Sequence, residues 1–431
     1  MPRVIRSSKH FYQNNNKIKT EKIIQFLDEY QYAVQKYIDY LWCNPIPWQT
    51  KKNENCLLDI QNNHFDCPRM FDYKIIVFET SLSKRALSSA ITQALGIIKS
   101  KTNDVKKRQY AIRKAKEENK NETIIKKLQK KLENSLSRLK KPILGNNFKA
   151  ELSSKNTILE PSQTKHFDYW LKFQALGSEK PFVIPAKLNK QDHKLFKKHY
   201  QTKGSFLIGR NSFDIRYEKE VSQKKKGKIV GCDTGIKTVA QFSHENNNVD
   251  KVNGLTYEDT VKRCARKRKG SKNFKKACRA RQNVLNAILN RVNFKNVKQI
   301  NLEDNSTLKY KKRTSRYLKH HAYGEIKNKI ESLAEELGVQ VKLQRSNYKS
   351  QRCSSCGWTQ KTNRKGKQFI CQRCGFAADA DYNAALNNEL NLCWLDFGLI
   401  NKQRLNIQGF EWDIAGKEHG VPSSNSILLN K

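Results

Sequence analysis

Four cysteines carry the most specific chemistry in the chain. Cys353 and Cys356 form one C-x2-C pair and Cys371 and Cys374 another; fourteen residues separate the pairs, and a glycine, Gly357 or Gly375, follows each directly. Two thiolates so placed reach one metal only if the backbone turns sharply behind them, which glycine permits. Two such knuckles supply four thiolates at tetrahedral angles, the spacing of a zinc ribbon, and a closed four-thiolate site is structural, not catalytic. Two disulfides are the competing reading, disfavoured by the glycines and by an odd total of eleven cysteines in a long chain.

Carboxylates form the second set. In KIVGCDTGIKTVAQFS an apolar strand ends at Asp233, and Gly235 sits in the following turn, where a missing Cβ lets a phosphate backbone approach closely. Alone, an Asp-x-Gly turn is ordinary hairpin chemistry. A second apolar strand, VKQINLEDNS, ends in Glu303 and Asp304. Period-two alternation sends these to opposite faces, so only one can look toward Asp233, and spacing does not say which. In GFAADADYNAALN, Asp381 opens a helix with Asp379 two residues earlier, a place where an aspartate is most often a cap.

Between the first two acids lies a basic block. Val261 to Arg281 holds eleven Lys and Arg and no acid, with Arg266, Lys267, Arg268, Lys269, Lys272, Lys275 and Lys276 at its centre. Solvated helix faces usually mix both signs, so a run of one sign points to phosphate contact.

The elements that must position these residues follow from periodicity. Ile23, Ile24, Phe26, Leu27, Tyr30, Val34, Tyr37, Ile38 and Leu41 recur at three- and four-residue steps and predict an amphipathic helix over 19–42. Residues 81–141 predict two long helices that form a hairpin, with a Lys/Glu-rich second half. From 146 to 228 short apolar runs broken by Gly, Pro and Asn predict a small β-rich domain, with a basic linker and a domain boundary near 227.

The whole chain is a folded polycation. It has 431 residues, 84 Lys and Arg against 40 Asp and Glu, and a formal charge of +44, far beyond what solubility needs; nucleic acid is the expected counter-charge. No apolar run approaches the roughly 18 residues of a spanning helix, and the start MPRVIRSSKH is no signal peptide, so no membrane partner is expected. Cysteines in C-x2-C pairs fit a reducing, cytoplasmic setting.

Taken in order, Asp-x-Gly, a strand-end Glu-Asp, a zinc ribbon and Asp-x-Asn-Ala-Ala resemble the TnpB family of transposon-encoded RNA-guided nucleases and the compact type V CRISPR effectors. SNYKSQRCSSCGW, ARKRKGSKNFKKACRARQ and HHAYGEIKNKIESLAEELGVQV agree with that family's motifs, and the resemblance covers about 227–387. It implies a multidomain α+β protein: an RNase H-like (RuvC) α/β nuclease core at 227–352 and 375–431, a zinc ribbon at 353–374, a helical recognition lobe at 19–145 and a wedge-like β-barrel from 1–18 and 146–226. Asp233, Glu303 and Asp381 become the catalytic carboxylates, chosen over Asp304 and Asp379 by the resemblance alone. Three such groups can hold two Mg2+ ions about 4 Å apart and cut a phosphodiester with no protein nucleophile.

The same resemblance implies one structural Zn2+, a guide RNA, double- and single-stranded DNA targets, reading of a short target-adjacent motif, a prokaryotic nucleoid-associated location, and a monomer or a homodimer on one guide. Two other readings compete: a DDE-type transposase, which shares the sheet and metals but ends its acid set with Glu, and a catalytically silent zinc-ribbon protein that binds nucleic acid. The tail after Leu386 matches no motif of the family.

Overall fold

The computed structural model describes the chain except residues 1–2, 13–16, 45, 50–54, 60–63, 66–72, 120, 154–155, 174–181, 246–250, 306–314, 394, 396 and 415–431. It divides into two compact units, one of residues 5–219 and one formed mainly by residues 220 onward. Among the described residues no helix is long and apolar enough to cross a membrane.

In the first unit, strand β1 (Arg3–Phe11) precedes helix α1 (Lys17–Cys43), a small sheet of β2 (Ile46–Gln49), β3 (Asn55–Asp59) and β4 (His64–Phe65), and helices α2 (Lys84–Glu117) and α3 (Glu122–Leu136). Helix α1 buries Phe26, Tyr30, Val34, Tyr37 and Leu41 against α2, which buries Ala90, Ile91, Ala94, Leu95 and Ile98. Ser83 starts α2 by accepting the Ala86 N–H at 3.2 Å. Beyond these lie β5 (Ala150–Leu152), β6 (Thr157–Pro161), β7 (Tyr169–Phe173), β8 (Phe182–Ala186), helix α4 (Lys190–Lys197), β9 (Gln201–Ile208) and β10 (Ser212–Glu220).

The expected β-barrel is not a closed one. The described strands make two open sheets, β1-β10-β9-β5 and β6-β7-β8. The reason is visible at β5, whose outer edge is occupied by side chains instead of a strand. The Glu151 N–H donates to Gln93 Oε1 at 2.8 Å, its carbonyl accepts the Tyr30 hydroxyl at 3.0 Å, and Gln93 Nε2 donates to the Lys149 carbonyl at 2.8 Å. An edge so capped has no backbone groups left to extend the sheet.

The second unit is built on the sheet β12-β11-β13-β14. Strands β11 (Lys228–Asp233), β13 (Val297–Glu303) and β14 (Gln340–Gln344) run parallel, and β12 (Gln241–Phe242) pairs antiparallel with β11. Helices α5 (Tyr257–Ala265) and α6 (Lys272–Leu289), the short α7 (Arg316–Lys319) and α8 (Tyr323–Glu336) complete the βα connections. One sheet face, through Val230, Cys232, Ile300 and Leu302, packs on Leu285, Ile288, Ile326 and Ile330; each fully buried aliphatic chain there contributes about 1.5–3 kcal/mol.

After the sheet come β15 (Trp358–Thr359), β16 (Arg364–Lys365), β17 (Gln368–Ile370), β18 (Ala377–Asp379), helix α9 (Ala380–Glu389), helices α10 (Phe397–Lys402) and α11 (Leu405–Gln408), and β19 (Phe410–Glu411). Helix α9 lies on the other face of β11, at backbone distance. A Cβ placed on Gly231 would come within 1.9 Å of the Ala385 carbonyl oxygen and 2.4 Å of the Glu389 nitrogen. Only hydrogen fits between strand and helix.

Gly231→Ala therefore forces α9 off the strand. It is expected to cost at least about 2 kcal/mol, read as a lower calorimetric transition for this unit. The helical Gly96, with open space around it, provides the control: Gly96→Ala stabilises by about 0.5–1 kcal/mol.

Candidate functional site

Two carboxylates meet on the α9 side of the sheet, and a third comes near enough for its charge to act on them. Residues 231 and 233 share one face of β11, and 301 and 303 share the matching face of β13, because strand side chains alternate. The two strands are parallel with Cys232 opposite Leu302, so Asp233 and Glu303 finish side by side. Their carboxyls lie within hydrogen-bonding reach of each other. Asn305 Nδ2 fixes the pair's outer side, donating to Glu303 Oε2 at 2.8 Å and to Thr234 Oγ1 at 3.1 Å. Asp304, one residue on, continues the ladder through its N–H to the Gln344 carbonyl at 2.7 Å.

Asp381 comes from the first turn of α9. Asp379 is the N-cap, accepting the N–H groups of Asp381 at 2.9 Å and Tyr382 at 3.1 Å, which leaves Asp381 to face the strand ends. Asp381 is 7% exposed and accepts hydrogen bonds from Arg364 Nη2 at 3.1 Å and from the Lys367 ammonium, which also donates to Thr238 Oγ1 at 2.6 Å. Arg364 and Lys367 stand in the ribbon between the cysteine pairs. No pattern in the sequence singles them out, because their proximity to Asp381 exists only in the fold.

The electrostatics are those of an acid cluster short of cations. Burial, then the charges of Glu303 and Asp381, push Asp233 well above the usual carboxylate range. Burial also raises Glu303, against hydrogen bonds from Asn305 and Asp233 and the charge of Lys349. Two carboxyls in contact cannot both ionise cheaply, so without a cation the pair gives up its last proton only above the usual carboxylate range. Gly235 holds its turn by donating to the Thr238 carbonyl at 2.9 Å, and a Cβ there would sit 3.1 Å from that oxygen.

The cysteines form two matched knuckles. The Gly357 N–H donates to the Cys353 carbonyl and the Gly375 N–H to that of Cys371, each at 3.0 Å, with φ of +81° and +74° at the glycines. The Cys353 and Cys371 N–H groups donate in turn to Trp358 and Phe376 carbonyls at 2.8 and 2.9 Å. All four sulfurs lie within 4.8 Å of one another, with Cys353–Cys374 at 3.7 Å and Cys356–Cys371 at 3.6 Å. Zinc–sulfur bonds of about 2.3 Å place tetrahedral sulfurs about 3.8 Å apart, so the cluster has the dimensions of a zinc site, and each of the four is a free thiol.

The tail joins this module. Strand β19 pairs antiparallel with β15, Arg373 Nη1 meets Glu411 Oε2 at 3.0 Å, and the Trp412 N–H donates to the Gly357 carbonyl at 3.1 Å.

The seven basic residues occupy the turn between α5 and α6 and the first turns of α6. Gly270, at φ +87°, makes the turn, and Ser271 caps α6 by accepting the Phe274 N–H at 3.1 Å. Arg266, Lys267, Arg268, Lys269, Lys272, Lys275 and Lys276 are all exposed, and none makes an ion pair with a described acid. Arg266 and Lys267 line a cavity of about 420 Å3 with Lys262 and Arg263.

Two outcomes follow. Asp233 and Glu303 are raised in the fold, so the folded protein binds more protons than the unfolded chain above the ordinary carboxylate pKa of about 4. The contribution of this pair to stability without added Mg2+ is then full below that pKa and is lost as pH rises through the folded values. Asp233→Asn removes the effect, and its melting temperature at pH 8 should exceed that of the unaltered chain. For the ribbon, elemental analysis should return about one zinc per chain, and Cys353→Ser should lose it.

Residues 323–388 match the family described as Cas12f1-like, TNB domain. The CRISPR-associated endodeoxyribonuclease Cas12f1 of Sulfoacidibacillus thermotolerans is 46% identical over 74 residues, 17% of this chain and 18% of that protein. That of Syntrophomonas palmitatica is 40% identical over 120 residues, 27% of this chain and 23% of that protein. The matches thus span less than a quarter of these relatives. A cryo-EM structure of a Cas12f1–sgRNA–target DNA complex aligns over 90% of this chain and 99% of that chain, at 16% identity and a TM-score of 0.42. Residues 323–388 are thus similar to the Cas12f1-like TNB domain, and over 74 to 120 residues the chain is similar in sequence to Cas12f1 endodeoxyribonucleases.

Proposed function

We propose that the protein is an RNA-guided DNA endonuclease with one RuvC-type site at Asp233, Glu303 and Asp381. One observation carries the reading: three carboxylates from three separate elements converge beside a four-thiolate cluster, in a chain whose matched relatives are endodeoxyribonucleases. Asp233 and Glu303, close enough to share a proton, suit divalent cations, and Asp381 completes the set. When bound, two Mg2+ would activate water and stabilise the leaving oxygen.

The chain's own side chains supply the rest. Asn305 orients Glu303, the Asp379 cap sets the turn that aims Asp381, and Gly235 leaves room at the end of β11. Arg364 and Lys367 hold Asp381 until it turns to a cation, and are then placed to receive phosphate oxygens. The four cysteines hold one structural zinc.

The remaining assignments belong to the same proposal. The helices of 19–145 form a recognition lobe, the strands of 1–18 and 146–226 a wedge, 227–352 and 375–431 the nuclease and 353–374 the ribbon. A guide RNA pairs with the target, the protein reads a short adjacent motif, and the charge of +44 follows the backbones of both nucleic acids. Two protomers sharing one guide is an arrangement that mass measurement decides.

The test is cleavage of guide-matched DNA by the purified ribonucleoprotein. Cutting should require Mg2+ and matched sequence, and Asp233→Ala, Glu303→Ala or Asp381→Ala should each reduce it at least about a thousandfold, the scale of lost transition-state stabilisation. Undiminished cutting by any of the three removes that residue from the site.

A further inference from the structure

A cavity of about 270 Å3 lies between the end of β14 and the C-terminal strand, and no motif accounts for it. Its walls differ in chemistry. The end of β14 and the turn after it contribute Gln344, Arg345 and Lys349; the segment after α9 and the C-terminal strand contribute Leu392, Leu395 and Trp412, with the polar Asn391 and Cys393 among them.

Both walls are built in place. Trp412 is 3% exposed, its indole N–H donates to the Cys393 carbonyl at 3.0 Å, and its own carbonyl accepts Arg352 Nε at 2.8 Å. Leu395, Ile400 and Phe410 pack with it. Lys349 is 6% exposed; its ammonium donates to Gln344 Oε1, and its main-chain carbonyl accepts Asn387 Nδ2 from α9 at 3.0 Å. Arg345 is exposed at the mouth. Gln344, which lines the cavity, is the direct register partner of Glu303 across the β13–β14 ladder, so the cavity begins one strand away from that carboxylate.

A nucleotide has the same division, a charged phosphate at one end and an apolar base face at the other. The volume falls just under the about 300–1,000 Å3 of small-molecule sites. It admits one unstacked nucleotide and excludes a duplex. We propose that this cavity holds a single nucleotide of a DNA strand beside the bond to be cut, its phosphate toward Arg345 and Lys349 and its base against Leu392 and Leu395. The choice of DNA over RNA rests on the endonuclease reading, because the strand that is cut must pass the carboxylates.

The experiment uses the full-length, zinc-loaded chain without added Mg2+, and an oligodeoxythymidylate carrying one 4-thiothymine. Photocrosslinks should map to the peptide containing Leu392 and Leu395. Arg345→Ala should lower the salt slope of log K by about one, equally for all sequences. Leu392→Asn, which replaces the apolar contact with a polar group of similar size, should weaken binding roughly tenfold with the slope unchanged. Crosslinks that bypass this peptide, or an unchanged slope in Arg345→Ala, overturn the proposal. An oligouridylate that takes the same crosslink and displaces the DNA overturns the assignment to DNA. A chain that binds as described yet cuts no DNA keeps the pocket and loses the endonuclease reading.

Discussion

Because nothing but hydrogen projects from residue 231, the backbone of α9 rests on the backbone of β11, and the carboxylate cluster follows from that approach. A side chain at 231 would hold the helix at the usual side-chain spacing, and Asp381 would withdraw with it. The contact is secured by amides: Asn388 Nδ2 donates to the Cys232 carbonyl at 3.1 Å, and Asn301 Nδ2 to the Glu389 carbonyl at 3.2 Å. These bonds tie one helix to both central strands, so the two strand-end acids and the helical acid are positioned by one packing event.

The cluster pays in stability for what it offers chemically. Burial, with the charges of Glu303 and Asp381 beside it, raises the proton affinity of Asp233, burial raises that of Glu303, and the fold sets a few placed cations nearby. Lys349 lies buried nearby, its ammonium lowered to about 8 by that burial, and Arg364 and Lys367 bind Asp381. The last two come from the ribbon, so the four-thiolate cluster does more than close a loop. Its hairpin delivers positive charge to the acid that the sheet alone leaves uncompensated.

How much of this is legible in the sequence depends on distance along the chain. The knuckles are local: two cysteines and a glycine within five residues define each, and the structure reproduces the pattern twice. The β-rich texture of 146–228 and the helix of 19–42 are also local: β5 to β10 fall in the first range, and the second lies within α1. The choice between Glu303 and Asp304 was not legible, because it depends on which face of β13 receives α9, a helix nearly eighty residues later. Gly231 was missed for the same reason. In the sequence it is one small residue in an apolar strand, less conspicuous than Gly235 in its turn. The barrel failed to close because of Gln93 and Tyr30, whose side chains reach β5 from distant helices, and no pattern near 150 announces them. The tail offered no motif, since β19 pairs with a two-residue strand of the ribbon.

Chain order also ties the ribbon to the third acid. Asp381 follows Cys374 by only seven residues, and β18, between them, pairs with β17 inside the ribbon. The Ala380 N–H donates to the Lys367 carbonyl at 2.7 Å, so α9 begins on the ribbon's own hairpin. At its other side α9 holds the segment leading into the first knuckle: Asn383 Nδ2 donates to the Arg352 carbonyl at 2.8 Å, and the Ser354 N–H donates to Asn383 Oδ1 at 3.0 Å. The helix therefore starts where the second knuckle ends and is braced by the residues that start the first. A metal that closes the knuckles fixes both attachments together. Its free energy of binding then bears on the position of Asp381 as well as on the ribbon, which makes the structural cluster and the acid cluster one folding unit.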